Sequence, residues 1–271
     1  MISGLLAKSY REVRVGTLLF GLGLMLGEAV LAYLPPTFYK DFSEQWLQMP
    51  FVRNMLTAFL GTEMSGTIGP WAISSIAWAH PVILALLGAH AILFCTRLPA
   101  GEIDRGTIDI LLSLPVSRTR LFLCESLMWI ICGSFLIVLC VLGNFVGGSW
   151  APPELRSGGA VRWIVGANLF ALYFAIGGIA WAVSTLSDRR GRATGVLFGF
   201  LLASFLLNFL IPFHEIVKKF SVLSVLRYHR PVFILRDGAW PLDDIFTLTG
   251  IGVVFWLAGW VLFTRRDICT V

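Results

Sequence analysis

Five stretches of this chain contain no Asp, Glu, Lys or Arg for 20 residues or more: 64–96, 126–153, 163–187, 193–214 and 245–264. A helix crossing a hydrocarbon core about 30 Å thick needs about 20 residues, so each stretch is long enough to span a membrane. A sixth apolar stretch, 15–34, is interrupted only by Glu28. Composition agrees, with 57% hydrophobic and 14% charged residues, against about 45–50% and about 25% in soluble domains. That is more apolar side chain than one water-exposed core of this size can hide. The expectation is an all-α membrane protein, a single transmembrane domain over 1–271 with spans near 15–34, 72–96, 121–146, 163–186, 194–212 and 245–264. A cleaved leader is not expected, because 15–34 continues as a full-length span and Leu34-Pro35-Pro36-Thr37 is not a small-x-small site. Cys95, Cys124, Cys132, Cys140 and Cys269 lie in or beside spans without a C-x-x-C pair, which suggests neither a disulfide framework nor a metal site.

Charge distribution gives the expected orientation. With the N-terminus inside, segments 1–14, 97–120, 187–193 and 265–271 hold twelve basic residues, while the longer outer segments 35–71, 147–162 and 213–244 hold nine. The higher inner density places both termini in the cytoplasm. Trp46, Trp71, Trp150, Trp163 and Trp240 fall on outer segments or span ends, as an interfacial aromatic belt would. The net charge of +5 is therefore read as topology, and no nucleic-acid partner is expected.

Residues 2–14 place Ile2, Leu5, Leu6, Ser9, Tyr10 and Val13 opposite Lys8, Arg11, Glu12 and Arg14, the pattern of a short helix lying in the inner headgroup layer. Outer amphipathic helices are expected between spans 1 and 2, on Phe51, Met55, Leu56 and Phe59, and between spans 5 and 6. In the latter, Pro212 ends the span and Ile216, Val217, Phe220, Leu223 and Leu226 continue a helical stripe, suggesting a partly re-entrant hairpin.

The segment between spans 2 and 3 carries the most information. Glu102 and Asp104 suit the positive end of a helix, and Pro115 disfavours helical geometry at Leu114, so a cytosolic helix over about 102–114 is expected. Thr107, Ile110, Leu111 and Leu114 would form one apolar face, and Ser117 can cap the next helix. Such a helix either fits a groove on another protein or rests on the inner leaflet.

The run from Ala100 to Arg118, AGEIDRGTIDILLSLPVSR, resembles the hallmark of permease subunits of type-2 ABC transporters, and Phe263 to Ile268, FTRRDI, resembles that family's usual ending. The resemblance implies that the 102–114 helix is a coupling helix docking on a separate cytosolic ATPase. It carries over to Glu102, Asp104, Arg105, Gly106, Thr107, Leu111, Leu112, Pro115 and Arg118. Family members commonly place Gly-Lys near the start of the third span, where this chain has Cys124-Glu125, so no role is carried over to that pair. The chain contains no G-x-x-x-x-G-K-[ST] phosphate loop. What the resemblance implies is a non-catalytic transport subunit in a prokaryotic plasma (inner) membrane. It would work with two ATPase subunits that hold ATP and Mg, and with a second copy of itself or a paralogous permease. Apolar spans favour a hydrophobic or amphipathic cargo such as a drug, antibiotic or lipid, with service to periplasmic or metal-processing partners as the alternative.

Glu28 is the acid within a span, which makes it a candidate for the translocation path unless it only bonds a neighbouring helix or snorkels outward. Asn208, with Phe205 and Phe209, is a further path candidate on the fifth span. Asn144 and Asn168 read as helix glue, His80 before Pro81 as the cap of a kink, and His90 as a helix-contact histidine. Gly23-x-x-x-Gly27 and Gly195-x-x-x-Gly199 permit close helix approach. A secondary transporter would need several buried ionisable groups and paired half-repeats, and an intramembrane enzyme would need clustered nucleophile, base or metal ligands. The sequence offers Glu28 and two histidines for the first and no such cluster for the second.

Overall fold

A computed structural model describes residues 2–39, 49, 57, 70–113, 115–211 and 213–267. Every regular element among them is helical, and six helical segments are long and apolar enough to cross a membrane: Ser3–Thr37, Trp71–Cys95, Arg118–Trp150, Gly159–Leu186, Arg190–Leu210 and Leu242–Arg265. They are called spans 1 to 6. The expected outer helix near Phe51–Phe59 lies outside the described residues.

Two tightly packed pairs organise the bundle. Span 1 lies along span 3, where a Cβ on Gly143 or Gly147 would fall on the backbone carbonyl of Met25 or Ala29. Without hydrophobic drive between helices in lipid, such close backbone approach is what gives dispersion its purchase. Span 4 lies along span 6, with Gly178 against the backbone of Gly252. Aromatic side chains fill the space between the pairs: Trp129 of span 3 stacks on Phe174 of span 4 at 5.0 Å, and Phe122 meets Trp181 at 4.6 Å. Of the two expected glycine pairs, Gly23 and Gly27 face Leu86 and Ile83 of span 2, whereas Gly195 and Gly199 meet nothing within 4 Å.

Several boundaries differ from the sequence reading. Residues 2–14 do not form a separate interfacial helix. They are the first turns of one continuous helix, Ile2–Tyr39, because no proline interrupts it before Pro35 and because Ser9 and Glu12 are held by partners on other elements. That helix also runs past the expected span end at 34 and over Pro35-Pro36: proline's fixed φ is itself helical, so the chain forgoes ladder bonds without having to turn. Span 2 is divided at His80, which sits extended (φ −62°, ψ 130°) and accepts the Val82 N–H at Nδ1, 3.3 Å, as the cap of helix Pro81–Cys95. Ser117 caps span 3 by accepting the Arg120 N–H at 3.3 Å.

After span 5 the chain returns through short helical turns, Glu215–Phe220, Ser221–Leu223, Val225–Tyr228 and Pro231–Asp237. They pack against spans 2, 4, 5 and 6, and the stripe expected to run from Ile216 to Leu226 is divided among three short turns rather than carried on one helix. His229, read as part of an outer loop, is instead buried. It hydrogen-bonds Asn168 Oδ1 of span 4 at 2.8 Å and the Trp78 carbonyl at 3.2 Å. Burial pushes its imidazole pKa down to about 4, so it is neutral at physiological pH.

Candidate functional site

The link between spans 2 and 3 is an elbow. Thr96 ends span 2 with its hydroxyl on the Ile92 carbonyl at 2.7 Å, and a wide turn, Arg97–Gly101, follows with Leu98 in extended geometry (φ −125°, ψ 136°). The expected helix over 102–114 is corrected here: it is two short pieces, Glu102–Asp104 and Ile108–Leu112, with Leu114 outside the described residues. The break is at Gly106, whose φ of 68° lies in the left-handed region that glycine occupies without strain. The break also changes the faces. Ile108 and Leu111 are buried, while Ile110, expected on the apolar face, is 67% exposed.

Glu102 holds this bent segment together. It is 5% exposed, and its carboxylate accepts from Arg105 at 2.8 Å and from the Thr107 hydroxyl, with Lys8 of span 1 at 3.6 Å. The Thr107 N–H closes the loop onto the Glu102 carbonyl at 2.9 Å. Of the nine residues carried over from the resemblance, Glu102 and Thr107 thus face each other, Leu111 is core, Leu112 is half-buried, and Asp104, Arg105, Gly106 and Pro115 are exposed. Arg118 points away from the loop and donates to the carbonyls of Phe263 (3.4 Å) and Arg266.

Beneath the loop lies a charged network that sequence reasoning missed. Arg97, 8% exposed, donates to Glu12 of span 1 at 2.7 Å, to Ser9 Oγ at 2.8 Å and to Glu125 of span 3. Glu125, 6% exposed, also accepts the Ser9 hydroxyl at 2.9 Å. The one sequence signal was the acid at the start of an apolar span, where the resemblance offered Gly-Lys. Its partners are distant in sequence. On the other side of the elbow, Ser184 of span 4 donates to the Leu98 carbonyl at 3.0 Å, and Thr96 meets Thr194 of span 5 at 3.4 Å. The chain's last described turn closes the ring: Arg266 donates to the carbonyls of Thr185 and Ser187 and to Asp188. Residues 96–118 are therefore tied to spans 1, 3, 4, 5 and 6. The same contacts bring the beginning of span 1 and the end of span 6 to the elbow's end of the bundle.

The membrane-depth candidates separate into two places. Glu28 is fully buried between spans 1 and 3, where Asn144 Nδ2 donates to Oε1 at 2.8 Å and Oε2 has no protein partner. Phe205 lines a cavity of about 340 Å³ between spans 2 and 5, walled by Leu84, Leu201, Leu202 and Leu226. Phe209 stacks against Phe205 at 6.2 Å and against Phe213 at 6.0 Å, and Asn208 beside it is half-buried. Glu28 does not line that cavity. His90 bridges helices, bonding Thr17 at 3.1 Å and the Tyr173 hydroxyl at 3.2 Å, and Asn168 bonds the Tyr228 carbonyl at 3.0 Å.

A family model described as ABC-2 family transporter protein matches residues 16–268, nearly the whole chain. The chain belongs to that family. A search of curated proteins found no match.

Proposed function

From its place in the ABC-2 transporter family, we propose that this chain is the permease subunit of an ATP-driven exporter and that its elbow docks on a separate cytosolic ATPase, which holds ATP and Mg. The reading is carried by one observation: residues 96–117 are bonded to spans 1, 3, 4 and 5, and Arg118, where span 3 begins, to the end of span 6, while Asp104, Arg105, Asp109 and Ile110 stay exposed. A force applied to such a segment moves span ends together, whereas a loosely attached loop would absorb it. Coupling then requires that ATP and cargo each bind two conformations of the bundle unequally. The elbow's end lies in the cytoplasm of a prokaryotic cell on this reading, consistent with the basic density of segments 1–14, 97–120, 187–193 and 265–271.

Two permease copies, or one with a paralogue, enclose the path. Spans 5 and 6 supply the exposed surface for this, being the least buried of the six in the single chain. The cargo is hydrophobic or amphipathic, in keeping with the apolar lining of the Phe205 cavity. This chain's own work is binding and movement, with no covalent step.

Co-purification in mild detergent with a co-expressed ABC ATPase tests the docking. Arg105→Glu and Ile110→Asp alter exposed side chains and are expected to reduce recovered ATPase at least tenfold. Ser149→Ala, at the far end of span 3, should recover the wild-type amount. Equal recovery with all three variants would remove the elbow from the contact.

A further inference from the structure

A groove of about 730 Å³ opens at the elbow's end of the bundle, lined by spans 1, 2 and 5 and by the loop. Its span 1 wall is one helical face, Lys8, Glu12, Val13, Gly16, Thr17 and Phe20. At 1.5 Å per residue, Lys8 to Phe20 covers about 18 Å, close to the depth of one leaflet, about 15 Å of hydrocarbon plus the start of the headgroups. The chemistry is graded along that length. Lys8, Arg97, Arg105 and Arg190 stand with Glu12 and Glu102 toward the elbow, Leu93 and Phe94 lie against Arg190 and Arg97, and Gly16, Phe20 and the mutually bonded Thr17 and His90 line the wall beyond them.

The geometry points to a binding site for one anionic glycerophospholipid of the leaflet on the elbow's side. Its phosphodiester would lie against Arg105 and Arg190, and an acyl chain would run past Gly16 toward Phe20. A guanidinium has five N–H donors. Arg105 gives one to Glu102 at 2.8 Å and Arg190 gives one to the Leu93 carbonyl at 2.9 Å, so both retain donors for a phosphate. Basic pockets between spans at the cytoplasmic side suit anionic headgroups in this way. A soluble partner does not reach the apolar part of the wall, because Val15, Leu18 and Leu19 on the same turns are exposed where the bilayer would be. Gly16 faces open space in this wall: a Cβ placed there meets nothing within 4 Å.

The proposal rests on the preceding reading only for which leaflet supplies the lipid, and the test uses the permease alone, without an ATPase. Delipidated protein in detergent is titrated with dioleoyl phosphatidylglycerol or dioleoyl phosphatidylcholine, and bound lipid is counted by native mass spectrometry, with inorganic phosphate as competitor. The expected result is one phosphatidylglycerol per chain, held at least tenfold more tightly than phosphatidylcholine and not displaced by millimolar phosphate. Gly16→Phe fills the groove and Arg190→Gln removes a cation, and each should weaken phosphatidylglycerol binding at least tenfold. Gly4→Phe, on the same helix outside the groove, should bind as wild type does. Equal affinity for the two lipids, full displacement by phosphate, or wild-type binding by both groove variants would each overturn the assignment. If Gly16→Phe does not fold, Arg190→Gln alone decides.

Discussion

Replacing Arg97 with Ala should be among the most damaging single changes at the elbow, and the structure sets its size. Arg97 satisfies Glu12 at 2.7 Å, Ser9 at 2.8 Å and the buried Glu125. Glu12 is 36% exposed and water can replace its lost partner, but Glu125, with 8% of its side chain exposed, would keep only the Ser9 hydroxyl. Removing one member of a buried ion pair costs about 3–5 kcal/mol, mostly as the penalty of the charge left behind. Glu125→Gln removes that stranded charge while leaving Arg97 its exposed partner Glu12, so its cost should be lower, about 1–2 kcal/mol. The double variant Arg97→Ala/Glu125→Gln has no stranded charge and should be more stable than Arg97→Ala alone, a non-additivity of about 1–3 kcal/mol. The assay is thermal stability of detergent-purified protein, followed by size-exclusion chromatography after heating. At about 2–4 °C per kcal/mol for a chain of this size, Arg97→Ala should lose about 6–20 °C and the double variant should regain part of it. Additive losses, or an Arg97→Ala protein within 2 °C of wild type, would refute the argument that Glu125 depends on Arg97.

Other consequences follow from single positions. Gly106→Ala places a side chain at φ 68° and should cost about 1 kcal/mol, with weakened ATPase recovery because the loop changes shape. Gly147→Val should prevent folding, since its side chain would fall on the Ala29 carbonyl, whereas Gly195→Val meets open space and should leave the thermal stability of the single chain unchanged. His229 is held neutral by burial, with its pKa lowered from 6.5 to about 4. The unfolded chain therefore binds a proton between those values that the folded chain does not. Stability from this group is complete above pH 6.5, falls as pH drops toward 4 and is constant below that, by at most about 3 kcal/mol. Melting temperatures of wild type and His229→Asn across pH 4–8 check this: the variant should lack that component of the acid loss, and parallel curves would contradict it.

The spans were legible because lipid imposes a one-dimensional rule: long runs without charge become helices, and their count needs no partner information. The kink at His80-Pro81 and the Ser117 cap were legible for a similar reason, since each acts within three residues. The continuous first helix was not. Lys8 and Glu12 look like an interfacial polar face, and Ser9 like part of the face opposite, until Arg97, Glu102 and Glu125 are placed against them. Gly106 was visible in the sequence, yet the apolar spacing of Thr107, Ile110 and Leu111 hid the break that its positive φ introduces. Glu125 and His229 show the limit most clearly. One looked like a departure from a motif and the other like a loop residue, and both are buried by segments far away in the chain.

The central claim is that an ABC ATPase sits directly on the exposed elbow. A photoreactive benzophenone amino acid introduced at Ile110, and at Ser149 as the opposite-end control, tests contact in membranes without prior choice of partner. The account predicts that illumination joins the chain at position 110, and not at 149, to a polypeptide whose peptides include a G-x-x-x-x-G-K-[ST] phosphate loop. If position 110 yields no adduct with such a polypeptide while the protein is folded and in the membrane, the elbow is not the docking surface and the coupling account fails.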